Sequence, residues 1–581
     1  MEKAERKEAQ RTECPNPQRE RKGYICLNGE WDFEMEGRGA EKSFGRINVP
    51  FCPESALSGV GYTDFIAGCV YKRRVEIAPE ALGNRVFLCF GAADYKARVY
   101  VNAKFAGKHE GGYTPFEFDI TESLTAGVNE IAVSVSDAAG AGVPSGKQSP
   151  RRGSFGCFYT RVTGIWQTVY LETRPREYIR SFRFFPDPER AAVGAEVLTT
   201  GAGRVRIDVF YEGKPVGSAE GEITVKGAFN VPLTEKHLWE AGNGRLYDVV
   251  LRYGADEVTS YFGLRSVKFE GKKFLLNGKS VFQRFVLDQG YYPDGAYTAP
   301  DDGRMAEDIE AAVNLGFNGL RLHQKLFDPR YLWHCDKRGV MVWGEYASWG
   351  VDHTDMKIFG RFADEWREAV ERDFNHPCIV LWSPFNEAWE DLSDGRKARD
   401  ARLIEAVYDL TKTLDPTRPC IDTSGGYHGR RTDACDVHCY GDCGEMSDLL
   451  GALGKGVLTG AKAYLPGEGA AYAGGPVAVS EYGGRALRTG NGAKRTDCMD
   501  NTEAWGYENV LESEEAFADW YVRLTGLLLD DENLFGFCYT QLYDIEQEQN
   551  GLYTYGRKLK FGPETAEAIR KCNGRAAAVE K

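Results

Sequence analysis

No stretch of the 581-residue sequence approaches the roughly eighteen consecutive apolar residues that a membrane-spanning helix needs. The N-terminus, Met1-Glu-Lys-Ala-Glu-Arg-Lys-Glu, is densely charged and holds no apolar signal core, so no secretory leader is expected. Basic clusters with interleaved aromatics are also missing. Together with a formal net charge of -14, this argues against a nucleic-acid partner, because phosphate binding leans on Lys and Arg. The 15 cysteines are odd in number and irregular in spacing, which points to reduced thiols in the cytoplasm rather than a disulfide framework. No solenoid-type repeat is visible. A polar, largely uncharged small molecule is the partner easiest to reconcile with this balance.

The length itself exceeds one compact core and predicts roughly three or four domains. Residues 1–22 read as a charged tail. From 23 to 173, short alternating runs such as Arg98-Val-Tyr-Val-Asn and Glu130-Ile-Ala-Val-Ser-Val, punctuated by Gly, Asn and Asp, predict antiparallel strands. Residues 174–265 continue in that style with Val205-Arg-Ile-Asp-Val-Phe-Tyr and Leu246-Tyr-Asp-Val-Val-Leu-Arg-Tyr, and suit a small β-sandwich.

After Ser266 strands alternate with amphipathic helices. Helical spacing predicts helices over 302–315, 362–372, 401–413 and 516–529. Eight apolar runs lie among them, at 281–287, 319–323, 340–344, 379–382, 419–422, 436–440, 477–480 and 535–539, which fits a (β/α)8 barrel.

Two of those runs end in a glutamate: Asp373-Phe-Asn-His-Pro-Cys-Ile-Val-Leu-Trp-Ser-Pro-Phe-Asn-Glu387 after the fourth, and Pro476-Val-Ala-Val-Ser-Glu481 at the seventh. Barrel chemistry gathers at the C-terminal ends of the strands, so two acids far apart in sequence can converge on one rim. Paired carboxylates suit glycosidic bond cleavage, where one protonates the leaving oxygen and the other attacks the anomeric carbon from roughly 5 to 5.5 Å away. Asn386 offers an amide to a sugar hydroxyl. Asp288, ending the first strand, either accepts from sugar hydroxyls or caps the turn before Gly290. Tyr440 either steadies a carboxylate or packs in the core; Trp349 and Tyr539 are stacking platforms or packing groups. Cys435-Asp-Val-His438-Cys439-Tyr-Gly-Asp-Cys443 superficially has metal-ligand composition. Strand alternation sends His438 and Cys439 to opposite faces, however, and no distant Cys/His pair completes a tetrahedron, so no metal is expected and His438 is left to the sugar site or a core hydrogen bond.

These segments resemble glycoside hydrolase family 2, the β-galactosidases, β-glucuronidases and β-mannosidases. Asn375-His-Pro-Cys-Ile-Val-Leu-Trp-Ser-Pro-Phe-Asn-Glu387 is similar to the family's acid/base motif, and Ser480-Glu-Tyr-Gly483 to its nucleophile motif. Leu27-Asn-Gly-Glu-Trp-Asp-Phe33, Gly111-Gly-Tyr-Thr-Pro-Phe-Glu-Phe-Asp-Ile120, Gly164-Ile-Trp-Gln167, Phe262-Gly-Leu-Arg-Ser-Val267 and Leu276-Asn-Gly278 extend the likeness across the chain. The resemblance implies a jelly-roll sandwich, an immunoglobulin-like sandwich and a catalytic barrel, with Glu387 as acid/base, Glu481 as nucleophile, no cofactor and a capacity to form homo-oligomers. Arg321 carries over with Asn318-Gly-Leu-Arg321; the following Leu322-His323-Gln324-Lys325 departs from the family and implies a different sugar contact.

Family glucuronidases carry an Asn-x-Lys pair after the last strand that reads the substrate carboxylate. Here Glu546-Gln-Glu-Gln-Asn-Gly-Leu-Tyr553 has no such lysine. A buried carboxylate needs a cation, so β-galactosides rank ahead of β-glucuronides and β-galacturonides unless Lys325 or Arg330 supplies the charge. A carbohydrate-binding protein or a transglycosylase on the same scaffold are the rivals. The sandwiches narrow the rim toward exo-cleavage, a first-domain loop or a partner subunit closes the site, and the Gly-rich 451–475 stretch reads as a lid.

Overall fold

Alternation of buried and more exposed positions, through Gly127–Ser136 and the first half of Gly29–Gly37, gives each of these strands one apolar face. In the computed structural model, which describes residues 10–37, 42–137, 142–388, 399–458, 463–465, 469–488 and 502–581, those faces meet in a sandwich. A 6-stranded antiparallel sheet carries both strands. It packs on a 4-stranded one around Trp31, Tyr71, Leu88, Val99, Val133 and Val169. The second domain pairs a 3-stranded sheet (Ile179–Asp187, Ala192–Thr199, Lys226–Pro232) with a 4-stranded one (Lys214–Ile223, Gly203–Tyr211, Tyr247–Tyr253, Asp256–Phe262). This is the immunoglobulin-like sandwich of the sequence reading.

Residues 10–22 are not a free tail. Glu20 bridges Thr259 in antiparallel fashion, and buried Arg21 joins Asp256 of the second domain to Glu172 of the first. Arg11 reaches Asp328 of the barrel at 2.8 Å. Charge in this segment reads as solvent-facing in sequence because, Glu13 beside Arg11 apart, the carboxylates that Arg11 and Arg21 meet lie more than a hundred residues away. Residues 1–9 of the expected tail lie outside the described residues.

In the barrel a 7-stranded parallel sheet runs in spatial order Ile379–Ser383, Met341–Glu345, Gly319–Leu322, Gln283–Asp288, Leu534–Thr540, Val477–Gly483 and Cys435–Cys439. The expected strand at 419–422 is extended but forms only isolated parallel bridges, Trp382 to Cys420 and Asn386 to Ser424, against the Ile379–Ser383 side. Its other neighbour is joined through side chains: Asp433 accepts from the Cys420 amide, and Ser424 donates to Asp436. Pro419 has no N–H to give a ladder, and the Cys420 and Gly425 amides that a ladder would use go to the Asp433 and Asp436 carboxylates. The four expected helices are present as Asp302–Asn314, Phe359–Asp373, Ala401–Leu414 and Glu514–Asp530. Pro329–Arg338, Cys443–Leu453 and Pro563–Asn573 join them. No described helix is long and apolar enough to cross a membrane.

Candidate active site

Val477–Gly483 is buried along its whole length, so its terminal carboxylate is delivered from a rigid strand. Gly483 and Gly484 then take φ of 85° and 69° and turn the chain away. The ladder to Cys435–Cys439 slips between Val437 and His438, which sets His438 opposite Glu481. Such irregularities re-aim side chains, and here the slip directs an imidazole at a carboxylate. Glu387 sits four residues past its own strand at φ 46°, a left-handed conformation that is uncommon for a non-glycine residue.

His438 joins the two acids. Its Nδ1 lies 3.0 Å from Glu387 Oε1 and 3.4 Å from Glu481 Oε2. The liganding atoms of all three residues fall within 4.8 Å of one another. Burial pulls the His438 pKa down, but Glu481 and then Glu387 outweigh it and raise it above the ordinary imidazole value. Gly425 lies flat against this ring, where a Cβ would come within 2.1 Å of it.

Arg321, fully buried, organises the floor. It donates to Glu345 at 2.5 Å, to Glu481 Oε1 and the Ser480 carbonyl at 3.0 Å, and to Asn386 Oδ1 at 2.7 Å. A desolvated guanidinium is costly unless its donors are met, and two carboxylates and two further oxygens meet them here. Because Arg321 takes the Asn386 oxygen, the amide nitrogen is the end left for a ligand. Tyr440 donates to Glu481 Oε2 at 2.5 Å and stacks on Tyr507 at 3.6 Å. His323 meets Glu345 at 2.9 Å; burial and the nearby Arg321 hold its pKa far below the ordinary value, so it is a neutral ring.

Trp349 belongs to the site wall. Its indole N–H donates to the Asn386 carbonyl at 3.0 Å, and Lys147 Nζ stands 3.7 Å over the ring. Lys147 arrives from the first domain on the 142–163 loop, which is clamped to the barrel: the Ser145 and Gly146 amides donate to the Trp349 carbonyl, Trp505 to Gly156, Gln547 to Gly156 and Phe158, and Tyr159 to Glu548. Of the first-domain loop and partner subunit suggested for this place, a first-domain loop stands against the Trp349 side of the site.

Three expected site residues are not brought to this cluster. Asp288 caps the Gly290 amide with one oxygen and takes the Tyr331 hydroxyl with the other, the turn-capping alternative. Lys325 donates to the Gly290 and Tyr297 carbonyls in an aromatic cage, where burial lowers its pKa to about 7. Tyr539 points behind its strand among Tyr482 and Tyr521, since alternation gives the inward position to Thr540. Arg330, the other suggested cation, is bound by Asp302. The Cys435–Cys443 run does not converge: the Cys435 thiol meets the Tyr464 hydroxyl, and Cys443 opens a helix. Of the suggested lid, 459–462 and 466–468 lie outside the described residues.

Sequence reading missed Glu345, Lys147 and Tyr507. Glu345 had a signal, being a third acid at a strand end. Lys147 lies in a Gly- and Ser-rich loop whose course no local pattern fixes, and Tyr507 opens the short strand Tyr507–Leu511, whose pairing with Arg485–Leu487 is not signalled locally.

Two β-sandwiches ahead of a parallel barrel, with glutamates facing each other at its strand ends, define the architecture of the multidomain glycoside hydrolases. The chain belongs to glycoside hydrolase family 2. The family's sugar binding domain matches residues 60–175 and its TIM barrel domain residues 267–504. Among curated relatives, a β-galactosidase of Thermoanaerobacter pseudethanolicus is 27% identical over 446 residues, 72% of this chain and 56% of that protein. A putative β-glucuronidase of Formosa agariphila is 26% identical over 374 residues, 61% of this chain and 44% of that protein. The chain thus spans about half the length of the curated relatives it matches. Its fold is similar to that of a Bifidobacterium dentium β-glucuronidase (TM-score 0.78, 22% identity, 97% of this chain and 99% of that one). A family 2 β-galacturonidase of Eisenbergiella tayi is also similar (TM-score 0.73, 20% identity, 96% and 97% covered).

Proposed function

We propose that this protein is a retaining exo-β-glycosidase working by double displacement. The observation that carries the reading is the close approach of Glu387 and Glu481, one oxygen of each lying within 4.8 Å of the other and both meeting His438 Nδ1. An inverting enzyme needs room for a water between its acids, roughly 6.5 to 9.5 Å, whereas direct attack by one carboxylate needs about 5 Å. Glu481, held by Arg321 and Tyr440, attacks the anomeric carbon as the bond to the leaving oxygen breaks and Glu387 delivers a proton to that oxygen. The glycosyl ester on Glu481 leaves that carboxylate uncharged. Glu387, now ionised, takes a proton from water, whose oxygen attacks the same carbon and frees Glu481.

The first-domain loop against Trp349 narrows the mouth and supports cleavage at chain ends. Family membership supports a β-linked sugar, and relatives named as β-galactosidase and β-glucuronidase support a hexopyranoside. The 14 described cysteines are all free thiols, which supports a reducing compartment. The test is a chromogenic panel of β-galactoside, β-glucuronide, β-galacturonide, β-glucoside and β-mannoside, with product anomers followed by NMR and Glu481→Ala and Glu387→Ala beside the parent. Hydrolysis with retention that disappears in Glu481→Ala is the expected result. Inversion, or full turnover without Glu481, would sink the reading.

A further inference from the structure

The ranking of neutral over acidic sugars rests on the absence of a cation in the 546–553 loop, and the two substitutes considered, Lys325 and Arg330, are committed elsewhere. Lys147 is the cation that the site does hold. It is only 7% exposed, and among the described residues its ammonium has no hydrogen bond and no ion pair; its one direct partner is the face of Trp349. Burial lowers its pKa, yet the negative fields of Cys157, Glu387, Glu481 and Glu548 raise it beyond the ordinary value, so it stays charged.

A buried ammonium without an oxygen partner is expensive, and proteins meet that cost with an anion or with function. The internal anions do not close on it. Glu481 is taken by Arg321 and Tyr440, and Glu548 by Tyr159 and Asn550. The loop that carries Lys147 is seated closely against the barrel. Gly146 takes φ 56° with its Cβ position 2.1 Å from the Gln324 carbonyl, and Gly350 takes φ 93° with its own 2.1 Å from Ser145 Oγ. The ammonium is therefore held over Trp349, whose indole N–H donates to the Asn386 carbonyl next to Glu387.

We propose that Lys147 is a specificity-determining residue, by which the N-terminal sandwich reads an oxyanion carried on the sugar. The inference rests on the glycosidase reading and reverses its sequence-based ranking, placing charged glycones ahead of neutral ones. A uronic acid carboxylate and a sulfate ester share this chemistry, and the substrates separate them.

The experiment measures kcat/KM on nitrophenyl β-galactoside, β-galacturonide and 6-sulfo-β-galactoside, which differ at C6, with the parent, Lys147→Met and Lys147→Arg. The parent is expected to favour one anionic member, and the preferred anion names the group. Lys147→Met keeps the stem over Trp349 and is expected to lose roughly 10- to 100-fold more on that anionic member than on the neutral one, the usual range for a hydrogen bond to a charged group. Lys147→Arg is expected to recover part of the loss. A merely structural lysine would move all substrates equally, and that result, or a parent that favours the neutral galactoside, overturns the proposal. Hydrolysis of any member that requires Glu481 keeps the double displacement standing whichever way Lys147 falls. If none is cleaved, calorimetry of free galacturonate against the parent and Lys147→Met decides: binding that weakens with the variant supports the role, and no binding ends it.

Discussion

Arg321 is the side chain on which the most geometry depends, since two carboxylates, a carbonyl and the Asn386 amide all take their positions from it. Arg321→Met fits the volume but removes the guanidinium that Glu345 and Glu481 share, leaving Glu345 facing the neutral His323 ring. It is expected to destabilise the fold by about 3–5 kcal/mol, the usual result of breaking a buried charge network from one side. Denaturant unfolding measures this, and a loss below about 1 kcal/mol, typical of exposed pairs, would mean that the network is solvated. His438 makes a prediction of different kind. Its raised pKa keeps a positive ring against Glu481 and Glu387 at mildly acid pH, and a neighbouring cation favours an ionised carboxylate. With His438→Gln that help is gone, so the acid limb of kcat/KM is expected to move up by about one pH unit. An unmoved limb would show that Arg321 and Tyr440 suffice.

Single elements show what the sequence could and could not convey. The Glu481 strand is legible because a fully buried parallel strand is an unbroken apolar run, and its closing acid stands out. The same logic fails at 419–422, where an apolar run is present but Pro419 and the carboxylates Asp433 and Asp436 replace the ladder. Alternation could not assign Tyr539, because which parity faces inward depends on a barrel register that the strand alone does not carry. The 142–163 loop was invisible as a wall: its residues signal only a turn-rich connection, and its function comes from what it touches. Gly146 is the point at which this can be tested. Gly146→Ala adds one methyl where the Gln324 carbonyl already stands and where φ is 56°, so the loop must lift with Lys147 on it. Displacements of this size at a reactive site cost on the order of 100-fold in rate. The variant is expected to lose kcat/KM by that order while keeping most of its thermal stability, and parental kinetics would show that the wall is dispensable.

Across the whole molecule, the two sandwiches are built into the barrel rather than tethered to it. Arg21 ties the first two domains, Arg11 reaches the barrel, and the 142–163 loop enters its mouth. Glu365, on the Phe359–Asp373 helix, is a further seam: Tyr95 of the first domain donates to it at 2.5 Å and Tyr346 of the barrel at 2.6 Å. Burial pushes its pKa up to about 7 against those two hydrogen bonds. In the unfolded chain the same carboxyl loses its proton near the ordinary value of about 4.3. Between these values the folded state holds a proton that the unfolded state has released, so stability from this residue is full below about pH 4.3 and falls as pH rises through 7. The displacement corresponds to about 4 kcal/mol above that window. Glu365→Gln removes the titration while keeping an oxygen for the phenols. The parent and variant are expected to unfold at similar temperatures near pH 4.5 and to separate progressively toward pH 8, with the variant the more stable. A difference that stays constant across this range would place the cost of Glu365 in packing rather than in charge.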